Sequence, residues 1–193
     1  MPEFTEMIEA ETLIVDDELA LRRVRSDDIA DLFEIYSNPE VSRFELSRPW
    51  TLDQVAEFVD AQTDFRPGDA GAALNLVVVL RSEAKVIGNC QLTITSLESQ
   101  QGVLGFSFNP RYTGRGLATR AVNAALAFGF TQLKLHRIMA VVDVRNDRSW
   151  RLMERLGMRR EGHIMHGNRF NGEWIDDYHY ALLSNEWTEK KPR

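Results

Sequence analysis

The sequence predicts a mixed α/β (α+β) protein built on one sheet covered by helices. Three observations predict it. Strand-like runs and helical stripes follow one another in the order β-α-α-β-β-β-α-β-α-β-β, with no repeat, low-complexity tract or linker between them. Three of the strand-like runs, within residues 74–108, lie too close together for crossover helices and so must pair as antiparallel hairpins. The 193 residues are 44% hydrophobic and 27% charged, enough apolar mass for one core and one domain spanning residues 1–193.

Taken in order, residues 1–18 are acidic and weakly patterned, and are expected to form a loose arm leading into a strand over 19–24. Ser26 is expected to cap a helix whose apolar positions Ile29, Leu32, Phe33 and Tyr36 follow a period of about 3.6. Asp27, Asp28 and Asp31 suit its positive N-terminus, and Asn38-Pro39 stops it. Thr51 and Gln54 form a capping box, and Leu52, Val55, Phe58 and Val59 make the buried stripe of a second helix. Pro67-Gly68 and Gly71 mark a loop. Strands over 74–80, 86–95 and 103–108 are rich in β-branched and aromatic residues, and Asn109-Pro110 ends the third. A helix over 117–133 places Leu117, Ala121, Ala124, Ala125 and Phe128 on one face. A strand over 137–144, a short helix over 146–156 stopped by Gly157, and strands over 159–164 and 174–183 complete the chain.

Composition narrows the function. The apolar runs are far shorter than the roughly 20 residues of a membrane span. The single cysteine, Cys90, permits no internal disulfide and no cysteine-based zinc cage. The first twenty residues carry seven acids and no Lys or Arg, the opposite of a secretory or transit segment, so a cytoplasmic location is expected. The net charge of −6 argues against general nucleic-acid binding. Residues 111–160, however, hold eleven Lys/Arg against three Asp/Glu, a basic segment in an acidic chain that fits one anionic ligand held in one place.

Within that segment lies the sharpest motif. Phe106-Ser107-Phe108-Asn109-Pro110-Arg111 leads through Gly114-Arg115-Gly116 into Leu117-Ala118-Thr119, from a strand through a glycine turn into a helix. The glycines let successive N–H groups face one concavity at a helix N-terminus, where the first amides lack partners and the dipole is positive. Phosphate binds at such places, and Arg111 and Arg115 add full charge beside it. A nucleotide P-loop would need Lys then Ser/Thr after Gly116, and a dinucleotide fingerprint would need Gly or Ala at Thr119. A tight strand-to-helix turn with no ligand is the bland alternative.

Arg111-x-x-Gly114-x-Gly116 followed by Leu-Ala-Thr resembles the acetyl-coenzyme A loop of the GNAT superfamily of N-acetyltransferases. His136-Arg-Ile-Met-Ala140, Asn146-x-x-Ser149, Leu156-Gly-Met158, Glu161-Gly162, Gly172-x-Trp174-x-Asp176, Tyr180 and Glu186-Trp187 match in order and spacing. The tail resembles the subfamily that acetylates N-termini of ribosomal proteins, together with many relatives that use other amines.

The resemblance implies a mostly antiparallel, twisted central sheet splayed between two strands, with helices on both faces. It implies that backbone groups of Phe106, Ser107 and Phe108 pair with the pantetheine arm, and that the segment carrying Arg111, Gly114, Arg115, Gly116, Leu117, Ala118 and Thr119 holds the pyrophosphate. Asn146 matches an asparagine that bonds pantetheine near the thioester, and Ser149 a hydroxyl near the sulfur that could return a proton to the leaving thiolate, whose free pKa is about 8.5. Ser149 also fits a plain first-turn serine. Trp50 and the segment Phe44-Glu45-Leu46, in the region of the first helices, fit the acceptor cleft or a packing role equally, and His163 and Asp176 are expected at the cleft. The general base stays open among Glu161, His163, His166, Asp176 and Asp177. Cys90 lies in an apolar strand pattern and reads as a core residue rather than an acyl carrier. Arg120 stands where the subfamily often has Glu, adding charge near the phosphates.

The implied activity is acetyl-coenzyme A-dependent N-acetylation of a primary amine in a ternary complex, with no metal. The acceptor is expected to be a protein or peptide N-terminus. A small amine such as an antibiotic, polyamine or amino-acid derivative is the alternative, and a non-catalytic acyl-coenzyme A-binding module the third reading. Relatives of this kind often form homodimers.

Overall fold

The computed structural model describes residues 12–63, 71 and 73–187. Eight strands form one sheet in the order β1-β2-β3-β4-β5-β6-β8-β7. They are β1 (Thr12–Ile14), β2 (Leu19–Arg23), β3 (Ala73–Leu80), β4 (Lys85–Ser96), β5 (Gln101–Phe108), β6 (Arg137–Asp143), β7 (Arg159–Phe170) and β8 (Glu173–Leu183). The helices are α1 (Ile29–Tyr36), α2 (Pro39–Ser42), α3 (Leu52–Thr63), α4 (Leu117–Thr131) and α5 (Asp147–Arg155).

All neighbouring strands pair antiparallel except β5 and β6. That parallel pair is short: only Gln101, Gly102 and Val103 meet Arg137, Ile138 and Met139. Beyond Val103, β5 continues against β4 as far as Phe108, while β6 continues against β8 as far as Asp143. The sheet therefore opens between them, and the β6-facing edge of residues 104–108 has no strand partner.

The alternation along β3 divides the core in two. Leu74, Leu76, Val78 and Leu80 join the cluster under α4 and α5, with Leu117, Ala121, Ala125 and Leu152. Val77, with Val79 partly buried, joins the cluster under α1 and α3, with Leu32, Ile35, Val55 and Val59. A period of two along the strand thus presents apolar groups to helices on both faces of the sheet.

Several expectations need correction. Residues 12–14 form a strand pairing with β2 rather than part of a loose arm, while residues 1–11 lie outside the described residues. Ser26 does not cap a helix. Residues Ser26–Asp28 make a 3-10 turn begun at Arg25 with no side-chain cap. The cause is Asp28, which is nearly buried and accepts from the Arg25 amide at 2.8 Å and from the Arg22 guanidinium at 2.6 and 2.7 Å. Asn38-Pro39 stops α1 but at once starts α2, whose Glu40 amide is capped by the Asn38 side chain. β7 runs on to Phe170, six residues past the expected end, because its register with β8 resumes at Asn168 after an irregularity beyond Ile164. The capping box forms as expected: Thr51 N–H donates to the Gln54 side chain at 2.9 Å, and Gln54 N–H to the Thr51 hydroxyl at 3.3 Å. Pro67-Gly68 lies outside the described residues.

Candidate active site

The open V between β5 and β6 faces the start of α4 and of α5. Two adjoining cavities fill this place, sharing Phe108, Thr113, Ala118, Asp147, Arg148 and Leu152 in their walls. The outer cavity, about 970 Å³, lies along the glycine loop. The inner one, about 370 Å³, lies against β5, the segment after α2 and the start of α5.

The outer cavity is built from backbone. Gly114 and Gly116 take φ values of +81° and +73°, the left-handed region that L side chains rarely adopt, and Gly116 is the N-cap of α4. No side chain caps that helix start. Its first amides and positive dipole end therefore remain available to an anion. A Cβ on either glycine would meet no atom within 4 Å, so conformation alone requires glycine here. Leu117, Ala118 and Thr119 line the same cavity.

The charge around it is distributed differently from expectation. Arg115 lines the cavity but pairs with Glu18 at 2.8 Å. Arg120 also lines it, yet its guanidinium is bound by Asp16 at 2.8 Å and Glu18 at 2.5 Å, so it ties α4 to the segment before β2 rather than adding free charge. Arg111 lines neither cavity; it pairs with Glu34 at 2.7 Å with its side chain 79% exposed. The basic wall comes instead from α5. Arg148, Arg151 and Arg155 recur at helical spacing and line the outer cavity. Nothing in the glycine motif pointed to them, although their three- and four-residue spacing was readable.

The inner cavity gathers side chains. Phe106, Ser107 and Phe108 form its floor. Phe108 reaches it because its cross-strand partner is Gly88: a Cβ there would lie 2.4 Å from the Phe108 ring. Asn146 and Ser149 also line it. The Asn146 carboxamide oxygen accepts from the Ser149 amide at 3.2 Å and caps α5, which leaves its NH₂ to donate elsewhere. Ser149 is thus both a first-turn residue and a cavity residue. Glu45 lines it too, its carboxylate accepting from the Ser107 hydroxyl at 2.5 Å. Phe44, beside Glu45 in the same segment, shares the wall; Glu40, Arg43 and Arg145 do too and were not anticipated, because they come from a short helix and turns with no periodic signal.

Three candidate acceptor residues lie elsewhere. Trp50 stacks on Tyr36 with ring centroids 4.7 Å apart and meets Phe58 edge-on, as part of the core under α1 and α3. His163 and Asp176 bond each other at 3.0 Å on the β7–β8 hairpin and do not line either cavity. The His166 amide, and then the His163 ring, hold the Asp176 carboxyl below its usual range. Among the other base candidates, Glu161 is clamped by Arg137 and Arg159, which push its pKa down to about 2, too weak a base for an amine. Burial raises Asp177, whose carboxylate accepts from Asn168 at 2.6 Å behind the hairpin. The His166 ring stacks on Trp174. Cys90 is fully buried, and burial pushes its thiol up to about 12, so it forms no nucleophile.

A splayed sheet, a glycine-shaped anion site at a helix start and a cavity at the divergent strands together define a coenzyme A-dependent acyltransferase site. Residues 18–159 match the acetyltransferase (GNAT) domain family, and the chain belongs to it. The chain is 32% identical over 169 residues to the uncharacterized N-acetyltransferase YnaD of Bacillus subtilis, covering 88% of this chain and 95% of that protein. Two solved structures share its fold. The ribosomal-protein-S5-alanine acetyltransferase of Vibrio fischeri superposes with a TM-score of 0.79 at 24% identity, covering 92% and 98% of the two chains. The spermidine N-acetyltransferase of Vibrio cholerae, in complex with CoA and spermine, superposes with a TM-score of 0.78 at 23% identity, covering 89% and 98%. The protein is an acetyl-coenzyme A-dependent N-acetyltransferase. Among the described residues no group of three or more His, Cys, Asp or Glu is arranged to hold a metal, and no helix is long and apolar enough to cross a membrane.

Proposed function

We propose that the acceptor is the N-terminal amine of a protein or peptide. The observation that carries this reading is the exposed β7–β8 hairpin, whose Glu173 is reached at 3.6 Å by Arg145 of the cavity wall. The hairpin carries Trp174, 58% exposed, and Met165, 72% exposed. Exposed apolar groups on a hairpin tied to the cavity wall offer a chain purchase beyond its terminal amine, which a small amine has no use for.

In this reading the outer cavity holds the diphosphate of the coenzyme on the amides that follow Gly116, with Arg148 and Arg151 neutralising it. The pantetheine arm runs along the open edge of β5, where backbone groups of residues 104–108 lack a strand. The NH₂ of Asn146 donates to the arm, and the Ser149 hydroxyl hands a proton to the departing thiolate. The amine attacks the thioester carbonyl, and a β5 amide near Phe108 stabilises the oxyanion.

The carboxylates Glu40 and Glu45, which make no ion pair among the described residues, favour a second reading, a small polyamine, since they would attract a cationic acceptor of any length. Thiol release from acetyl-coenzyme A, measured with an alanine-initiated peptide and with spermidine, separates the two. The peptide reading expects a higher kcat/KM for the peptide and a loss with Trp174→Ala for the peptide alone. Higher turnover of spermidine, unaffected by Trp174→Ala, overturns it.

A further inference from the structure

We propose that Glu45 is the proton acceptor for the incoming amine, held in place for that task by the Ser107 hydroxyl. This rests on the acetyl-transfer reading above and names the group that reading lacks.

Position comes first. The chain leaves α2 through a tight turn in which the Glu45 amide donates to the Val41 and Ser42 carbonyls at 3.3 and 3.1 Å. Leu46 follows with φ +50°, a left-handed conformation that costs a leucine energy and turns the chain sharply right after Glu45. The result puts the Glu45 side chain in the wall of the inner cavity, together with Asn146, Ser149 and the floor residues of β5. One carboxylate oxygen accepts from Ser107 at 2.5 Å. Ser107 lies on β5, the strand whose open edge faces the V, so the carboxylate is fixed relative to the place where the thioester would lie.

Chemistry comes second. Apart from Glu40, which shares the cavity wall but has no bond to β5, the carboxylates around the site are committed: Glu18 to Arg115 and Arg120, Glu34 to Lys85 and Arg111, Asp143 to Arg145, Asp147 to Arg151, and Glu161 to Arg137 and Arg159. Glu45 makes no ion pair among the described residues. The residue is open to the cleft, but protein atoms crowd its carboxyl group and raise its pKa, against the lowering effect of the Ser107 bond. A carboxylate whose pKa is raised is a stronger base for an ammonium ion. The charged and titratable groups around it are Tyr36 from α1, Glu40 and Arg43 from the α2 segment, and Arg145, Asp147 and Arg148 from the start of α5.

The step balances without any further reagent. The acceptor ammonium gives one proton to Glu45, and its freed lone pair forms the new N–C bond at the thioester carbonyl. The tetrahedral adduct collapses with cleavage of the C–S bond. The second proton on nitrogen passes to Ser149 as the Ser149 hydroxyl proton goes to the thiolate, so the free thiol leaves with Ser149 restored, and Glu45 returns its proton to solvent.

The test is the pH profile of kcat/KM by thiol release, with whichever of spermidine and the alanine-initiated peptide the wild type turns over faster. Glu45→Gln should lower kcat about 100-fold. It should move the acidic limb of the profile up to the pKa of the amine itself, while calorimetry shows acetyl-coenzyme A binding unchanged. Ser107→Ala removes a bond that favours the charged carboxylate, so its acidic limb should shift upward by less, with most of kcat retained. A Glu45→Gln enzyme that keeps its kcat and its acidic limb and shows only a higher KM overturns the proposal and leaves Glu45 as a binding residue. A wild type that binds acetyl-coenzyme A but releases no thiol with either amine overturns both this proposal and the acetyl-transfer reading on which it rests.

Discussion

The two ends of the cleft are made in opposite ways. The outer end is written in backbone: two glycines at positive φ, an uncapped helix start and an unpaired strand edge. The inner end is written in side chains drawn from elements far apart in the chain, with Glu45 bonded to Ser107 across 62 positions. A backbone site tolerates many changes of neighbouring side chain and fails only when its conformation is lost. A side-chain site can be retuned one residue at a time. That contrast fits an enzyme family with one donor and many acceptors.

The backbone end is most vulnerable at its glycine loop. Gly114→Glu should weaken acetyl-coenzyme A binding by about 100-fold or more, near 2.7 kcal/mol, while the circular dichroism spectrum stays that of a folded protein, because the position is open. An unchanged calorimetric Kd would remove the backbone site from the account. Gly88→Ala should follow. Its methyl would strike the Phe108 ring and the Ser107 carbonyl, so denaturant unfolding should show a loss of about 1–3 kcal/mol, with weaker coenzyme binding as the cavity floor shifts. Arg148→Ala should cost the coenzyme roughly fivefold, about 1 kcal/mol, and less at high salt. Arg120→Ala should change affinity least, because its charge is already taken by Asp16 and Glu18.

The smallest effect sharpens the contrast by its sign. Glu45 has a raised folded-state pKa, so its ionisation costs stability as pH rises through that value, and Glu45→Gln should be slightly more stable at neutral pH. Glu161 has a depressed one, so its contribution is present above the unfolded value near 4.5 and is lost as pH falls towards 2. Glu161→Gln should lower the melting temperature at neutral pH, with the difference disappearing on acidification. Melting temperatures of the two variants across this pH range check both signs.

The same contrast explains what the sequence made legible. Helices α3 and α4, the strands β3 to β5 and the glycine loop carry local signals: a capping box, strict periodicities and a motif whose conformation only glycine adopts. The membership of the chain in its family rested on such signals. Glu45 was placed at the cleft by resemblance, but its bond to Ser107 depends on β5 and the α2 turn meeting in space. Trp50 fitted the cleft or the core equally, and the aromatic cluster with Tyr36 and Phe58 claimed it, a tertiary preference that no window around residue 50 contains. His163 and Asp176 likewise found each other across a hairpin whose irregular register the sequence did not announce. The Asp28 turn is a further case, since a buried ion pair with Arg22 overrode a good capping serine.

The parting of β5 from β6 also has a consequence for the life of the protein. An interior sheet edge left without a strand is a hydrogen-bonding template, and proteins ordinarily blunt such edges. In the proposed arrangement the donor's own arm takes the place of the missing strand. Hydrogen exchange at the amides of residues 104–108 should therefore slow when acetyl-coenzyme A is added. At 100 times its Kd the ligand should raise global stability by about 2.7 kcal/mol. If that gap takes the coenzyme's arm, the protein's resistance to unfolding, and so to proteolysis, rises and falls with the cell's supply of coenzyme.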